Sequence, residues 1–376
     1  MAFSFGSGGG GGFGGGAAAG GFGATTGGFG ASAANPAVAN PNPNNDLVVP
    51  SPPGDTVSQL ALNDNGTGLL ASSWDGKVSF WQVARGPQVT VTPQAQITHE
   101  GPALCCGFAS DGTTAFSGGA DGKVKMWQLG QANRPEQQVG AHDAPVKCLT
   151  FCAELNMLIT AGWDKKLKFW DCRSPNPAGQ FDLPERAYCM SAGFPYLGVA
   201  TANRRLCFYN LQGQPSLAEE RESPLKYQSS CLALFPAGSQ RPGFALGSVE
   251  GRVAIHYFKG TDKDSFAFKC HRDSSTSRIY AVNAIAFHSG DIFTTMGSDG
   301  KFHFWNKFKK TRLKGYEALG ESITAGAFNK GGEIFAYAAG YDWREGAAGY
   351  NEQQAASRIF LHAVSKEDLE GKGKRR

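Results

Sequence analysis

The sequence predicts an all-β fold: a seven-bladed β-propeller behind a Gly/Phe-rich N-terminal tail. Three observations carry this. A tight Asp-containing turn runs into a short strand that ends on an aromatic residue, as in Gly162-Trp163-Asp164-Lys165-Lys166-Leu167-Lys168-Phe169-Trp170-Asp171, and again around Asp75, Asp121 and Asp299. The aromatic closers fall at 81, 127, 170, 209, 257 and 305, spacings of 46, 43, 39, 48 and 48 residues, the period of a four-stranded propeller blade. The last unit lacks a convincing fourth strand after Val364, and the extended stretch Leu47 to Val49 at the other end supplies one, which removes both open sheet edges.

In chain order, residues 1–45 form a tail made largely of Gly, Ala, Asn and Phe. Its composition cannot bury enough apolar surface to offset the entropy of ordering, so it is expected to be disordered. Within it Phe-Gly recurs at Phe5, Phe13, Phe22 and Phe29, weak apolar stickers on a flexible tether. Residues 46–366 hold the propeller. The first unit has strands near 57–62, 68–72, 77–81 and 89–97, separated by the turn formers Asn63-Asp64-Asn65-Gly66 and Trp74-Asp75-Gly76. The second unit closes on Trp127, the third on Trp170, the fourth on Tyr209 with an Asn203 turn in place of Asp, the fifth on Tyr257 and the sixth on Trp305. The seventh begins near Ile323 and carries an insertion at 341–358; residues 367–376 read as a basic C-terminal tail. The motif set is that of a WD-repeat propeller.

Bulk composition narrows the function. No run approaches the ~18 apolar residues that span a bilayer, and no basic leader with a hydrophobic core opens the chain, so neither membrane insertion nor a signal peptide is expected. The nine cysteines form no Cys-x-x-Cys pair, which suits buried thiols in a reducing compartment and no metal. No phosphate-binding loop, dinucleotide glycine series or serine elbow is present, so no cofactor and no enzymatic activity are expected. The net charge of +4 is modest, and its distribution must decide what it means.

His99 and His142 each precede a blade and, with Asp121 and Trp127 or Asp164 and Trp170, make two His–Asp–Trp sets. A ring nitrogen donating to the turn Asp would tie an outer loop to the inner strands. Ser117 and Thr160 lie nearby, but an arrangement that recurs blade by blade is scaffold rather than a catalytic triad. Lys307, Lys309, Lys310, Arg312 and Lys314 form a run without an acid after Trp305. Further cations follow the inner turns at Lys123, Lys125, Lys165, Lys166, Lys168, Arg204 and Arg205, and close the chain at Lys372, Lys374, Arg375 and Arg376. Each alone is ordinary surface charge; together they allow salt-dependent phosphate binding without base reading. Trp74, Trp163, Tyr341 and Trp343 sit in or beside turns, not at strand-closing positions, and are candidates for partner contact.

Several strings go beyond the generic repeat: Ala141-His142-Asp143-Ala144-Pro145-Val146-Lys147, residues 162–171, 183–186, 222–226 and 243–257, Phe268-Lys269-Cys270-His271-Arg272, and 334–338. Through them the chain resembles, over about residues 46–366, the nuclear-pore-associated WD-repeat mRNA export factors, the Rae type of animals and Gle type of yeasts, with a fungal-like character. The resemblance implies a non-enzymatic scaffold in poly(A) RNA export at the nuclear pore complex, in the nucleus and nuclear envelope, shuttling to the cytoplasm. It implies binding of the GLEBS hairpin of a GLFG nucleoporin, and sequence-nonspecific RNA binding through a basic surface. The family's basic stretch falls on Lys307, Lys309, Lys310, Arg312 and Lys314, beside Trp305 and Phe268. The Phe-Gly tail extends the partner list to other FG nucleoporins or transport receptors. An alternative keeps the architecture and changes the partner: a mitotic-checkpoint-type propeller that binds a kinetochore kinase segment and has no RNA role.

Overall fold

The computed structural model of the chain describes residues 41–371, apart from 87, 132–134, 175, 237–238, 240, 259–263 and 351–356. The Phe-Gly motifs and the cations at 372–376 lie outside the described residues. Seven four-stranded antiparallel sheets follow one another as blades. Blade 1 comprises Val57–Leu62, Gly68–Ser73, Lys77–Ala84 and Thr90–Thr98; blade 2, Ala103–Phe108, Thr114–Gly119, Lys123–Gln128 and Gln137–Ala141; blade 3, Val146–Cys152, Met157–Gly162, Lys166–Trp170 and Gly179–Asp182. Blade 4 comprises Ala187–Gly193, Tyr196–Thr201, Arg205–Asn210 and Ser216–Glu222; blade 5, Ser229–Leu234, Gly243–Ser248, Arg252–Tyr257 and Phe266–Lys269; blade 6, Val282–Phe287, Ile292–Gly297, Phe302–Asn306 and Thr311–Gly315. Blade 7 is built from Ser322–Phe328, Ile334–Gly340 and Arg358–Ala363, and its outer strand is Leu47–Val48.

The closure expected from sequence is thus present, with Leu47 opposite Leu361 and Val48 opposite Phe360. It is reinforced by Val49 N–H donating to Ile359 (2.9 Å) and by the Trp81 indole N–H donating to the Pro50 carbonyl (2.8 Å).

The repeated turn has a local cause. The side-chain oxygen of Asp75, Asp121, Asn203 and Asp299 accepts the backbone N–H two residues on (3.0 to 3.3 Å), and so does Asp164 from Lys166 (3.1 Å). The position in between, or its equivalent, is left-handed, with φ of 82° at Gly76 and 74° at Gly122. Lys165 and Arg204 take the same conformation (φ 62° and 63°) without glycine's freedom. In every blade the first strand pair also slips by one residue just after its start, as between Val57 and Gln59 or Cys105 and Ala103, a bulge that sharpens the twist of the innermost strand.

The core is divided into seven clusters, each between two neighbouring blades. Nearer the axis the blades are stitched by hydrogen bonds to the next inner strand: Ser58 to Ala103 (2.6 Å), Asn283 to Ile323 (2.9 Å), and Thr324 to Val57 (2.8 Å) across the closing seam.

The segment read as the start of a basic tail is a short helix, Lys366–Glu370, and its Asp368 is fully buried. Asp368 accepts from Lys314 Nζ (2.8 Å), from the Ser365 hydroxyl (2.9 Å) and from the Tyr316 hydroxyl, and pairs with His362 Nε2 (3.1 Å). His362 Nδ1 pairs with Asp46 (2.7 Å), whose other oxygen accepts from Tyr337 (2.7 Å). One imidazole therefore joins the N-terminal closing segment to the C-terminal helix.

Candidate docking and basic surfaces

Antiparallel connectivity sorts the loops. In a four-stranded meander the turn between the second and third strands lies at the same end as the link to the next blade; the other two turns lie at the opposite end. We call these the upper and lower faces.

The upper face is tied down by three His–Asp networks. His99 Nδ1 meets both Asp121 oxygens at 3.1 Å and its Nε2 meets Ser117 Oγ at 2.9 Å. His142 repeats this with Asp164 (2.9 Å) and Thr160 (2.7 Å), and Thr160 also accepts the Trp170 indole N–H (2.7 Å). Burial disfavours ionisation of Asp121 and Asp164, but the histidine and backbone donors outweigh it and hold both carboxyls below the usual range. Trp127 departs from the expected set: among the described residues its indole N–H has no hydrogen-bond partner. The serine hydroxyl at 117 serves His99 without meeting it.

Sequence reasoning missed the third network. His271 Nδ1 meets Asp299 at 2.8 Å, its Nε2 meets Thr295 Oγ1 at 2.9 Å, and the Trp305 indole N–H donates to the same hydroxyl (2.9 Å). The His–Asp spacing is 28 residues here against 22 in blades 2 and 3, because the hairpin Arg272–Asp273/Arg278–Ile279 is inserted between them. His303 stacks on His271 (5.0 Å), and burial, then the His271 charge, depress its pKa to about 3. His271, Asp299 and His303 place ligand atoms within 4.8 Å of one another. Both nitrogens of His271 are already engaged, so the group works as blade 6's copy of the network.

The four turn aromatics all fall on the upper face. Trp74 and Trp343 are each 44% exposed. Trp343 stacks on Tyr350 (5.1 Å, 13° between planes) and tilts against Tyr341 (5.5 Å), whose hydroxyl donates to Gly346 (2.6 Å). Arg344 anchors this insertion to blade 6 through the Ser298 carbonyl and to the start of blade 7 through Ser322 Oγ (2.8 Å), and lies over Tyr280. Trp163 is half-buried under Arg186 (6.0 Å). Tyr227, Val249 and Ile279, all exposed, lie on upper-face loops and add apolar surface that the sequence reading did not single out. They became assignable only once the strand order fixed which loops share a face.

The basic run lies elsewhere: its turn, residues 307–310, is on the lower face and leads into the outer strand of blade 6. Lys309, Lys310 and Arg312 are exposed. Lys307 is not: it is 6% exposed, bonded to Asp291 (2.7 Å) and set over the Phe235 ring (4.7 Å). Lys314 is committed to Asp368 and Tyr316. Trp305 and Phe268 pack together (4.6 Å), both half-buried, so Trp305 belongs to the blade network and to this ledge at once. The inner-turn cations are mostly paired: Lys123 with Glu100 (2.7 Å), Lys165 with Glu185 (3.1 Å), Arg205 with Glu220 (2.8 Å), Lys166 with Asp182 and Arg204 with Glu222. Lys125 and Lys168 donate to the carbonyls of Thr98 (2.6 Å) and Ala141 (2.9 Å). The ordinary reading of these residues therefore prevails, and among the described cations of the set Lys309, Lys310 and Arg312 are the ones left exposed without an acidic partner.

Residues 46–82, 92–128 and 133–171 match the WD domain, G-beta repeat family. The chain is 46% identical over 340 residues to "Protein RAE1" of Arabidopsis thaliana, covering 90% of this chain and 96% of that one. It is 44% identical to the "mRNA export factor" of Danio rerio (87% and 91% covered) and 44% identical to "Protein Rae1" of Drosophila melanogaster (87% and 96%). The chain belongs to the RAE1-type mRNA export factor family. In this RAE1-type propeller the hydroxyls of Ser117, Thr160 and Thr295 that complete the triad-like groups are wholly buried, out of reach of any substrate. Fold and RAE1-type membership are those of a non-catalytic WD-repeat scaffold.

Proposed function

We propose that this chain is a docking scaffold for poly(A) RNA export at the nuclear pore, and that its upper face receives the GLEBS hairpin of a GLFG nucleoporin. The observation that carries the reading is the gathering of exposed aromatics on one face: Trp74, Tyr227, Trp343 and Tyr350 are 44%, 57%, 44% and 38% exposed. Large aromatic side chains on a rigid ring are the residues that anchor interfaces, at little cost in conformational entropy. Family membership, under names that include "mRNA export factor", supports the same conclusion. In this reading the ledge at Lys309, Lys310 and Arg312 takes RNA phosphates on the other side of the ring, so one molecule holds pore and cargo together.

Titration of a synthetic GLEBS hairpin tests it. Trp343→Ala combined with Tyr350→Ala is expected to weaken binding by about 2 to 4 kcal/mol, roughly 30- to 1,000-fold in Kd, with thermal unfolding unchanged. Undiminished affinity would remove the upper face from the reading. Recovery of a kinetochore kinase segment in place of a nucleoporin, with no salt-dependent RNA binding, would give preference to the checkpoint alternative.

A further inference from the structure

We infer that Phe308 is a stacking platform for an unpaired RNA base, the part of the basic ledge that separates single-stranded from duplex RNA. The inference rests on the RNA reading of that ledge. Phe308 is 76% exposed, the highest value among the exposed large hydrophobic residues described. It is held out by the turn that carries it. On one side Lys307 is pulled inward by Asp291, through its ammonium (2.7 Å) and through its backbone N–H to the Asp291 carbonyl (2.9 Å). On the other side Asn306 Oδ1 accepts the Lys309 N–H (2.8 Å), and Lys310 takes a left-handed conformation (φ 53°). The ring at the tip is thus presented by a turn fixed at both ends, a pre-organised arrangement that loses little freedom on binding.

The surroundings choose the occupant. Among the described residues the other exposed large hydrophobics lie on upper-face loops, on the outer strand of blade 4, at the closing seam of blade 7 or, for Val89, in the lower turn of blade 1; none of them belongs to the lower face of blade 6. In the chain it is followed by the exposed cations Lys309, Lys310 and Arg312, no acidic residue occurs between 301 and 316, and Asp291 across the hairpin is paired with Lys307. The Lys310 ammonium sits 4.6 Å over the ring of Phe266, which continues through Phe268 (6.2 Å) to Trp305 (4.6 Å). A lone flat ring among cations, beside a half-buried aromatic row, suits a ligand that alternates phosphates with planar bases. An unpaired base offers its π-face to such a ring; a base inside a duplex is already stacked on both sides.

The test uses the full chain, a single-stranded oligoadenylate and a duplex RNA of equal length, each titrated by fluorescence anisotropy at two salt concentrations. Phe308→Ala is expected to weaken the single strand about tenfold and the duplex less than twofold, with an unchanged salt slope, and Phe308→Trp is expected to restore binding. The double variant Lys309→Glu/Lys310→Glu should weaken both RNAs and flatten the salt slope. If that variant binds RNA as the unmodified chain does, the ledge is not an RNA surface and the reading beneath this inference fails. If it weakens binding while Phe308→Ala does not, or if Phe308→Ala weakens both RNAs equally, only the stacking role is overturned. Binding to vesicles of phosphatidylserine and phosphatidylcholine is measured in parallel; a loss confined to vesicles on Phe308→Ala would make the ring a membrane contact and overturn the inference.

Discussion

The imidazole between the two chain ends makes stability sensitive to mildly alkaline pH. Burial of His362 opposes its protonation, but hydrogen bonds and charges from Asp368 and Asp46 outweigh burial and raise its pKa to about 9. A group with a folded pKa above its unfolded value contributes fully below the unfolded value, about 6.5 for histidine, and its contribution disappears as pH rises through the folded value. That elevation corresponds to about 3 kcal/mol, present at pH 6 and nearly gone at pH 9.5. Urea unfolding of the unmodified chain and of His362→Asn across this range reads the effect. The difference between the two should shrink by about 3 kcal/mol from pH 6 to pH 9.5. A difference that stays constant with pH would show that folding leaves the proton affinity of His362 unchanged, and would refute the reasoning.

Two further outcomes follow from the packing. Asp164→Ala leaves a buried His142 N–H and two backbone N–H groups without their acceptor and should cost about 3 kcal/mol, whereas Asp164→Asn, which keeps a carbonyl oxygen there, should cost about 1; urea midpoints at constant m-value separate them. Lys307→Glu sets a buried carboxylate against Asp291 and should destabilise by about 3 kcal/mol, while Lys309→Glu, fully on the surface, should stay within about 0.5 kcal/mol in the same melts and act on RNA affinity alone.

The parts of the molecule legible in the sequence are those set by local chemistry. Asp75, Asp121 and Asp299 announce their turns because the carboxylate caps the backbone two residues on, and Trp81, Trp127, Trp170 and Trp305 mark the period because each closes a strand against a neighbouring blade. The closing strand was legible as well, since Leu47 and Val48 answer a vacancy in the last blade. What could not be read depends on partners distant along the chain. A run of cations does not reveal that Lys307 is taken by Asp291 across a hairpin or Lys314 by Asp368, 54 residues on. The His271 network was hidden by a six-residue change in spacing relative to its counterparts. The short helix at Lys366–Glu370 was unreadable because a charged pentapeptide has no helical signal of its own. Its stability comes from what Asp368 meets.

The seam has a consequence for how the molecule is made. Leu47 must wait for Leu361, and Asp46 for His362 and, through it, Asp368, so a strand made before the first blade is paired only after the third strand of the seventh has been made. Until residues 358–363 have been made the nascent chain carries an orphan strand and an unsealed inter-blade surface, two features that favour wrong pairing. Premature termination anywhere before residue 358 therefore leaves a product that cannot close, however well its earlier blades have formed. Closure of the ring thus reports that synthesis has passed its last blade.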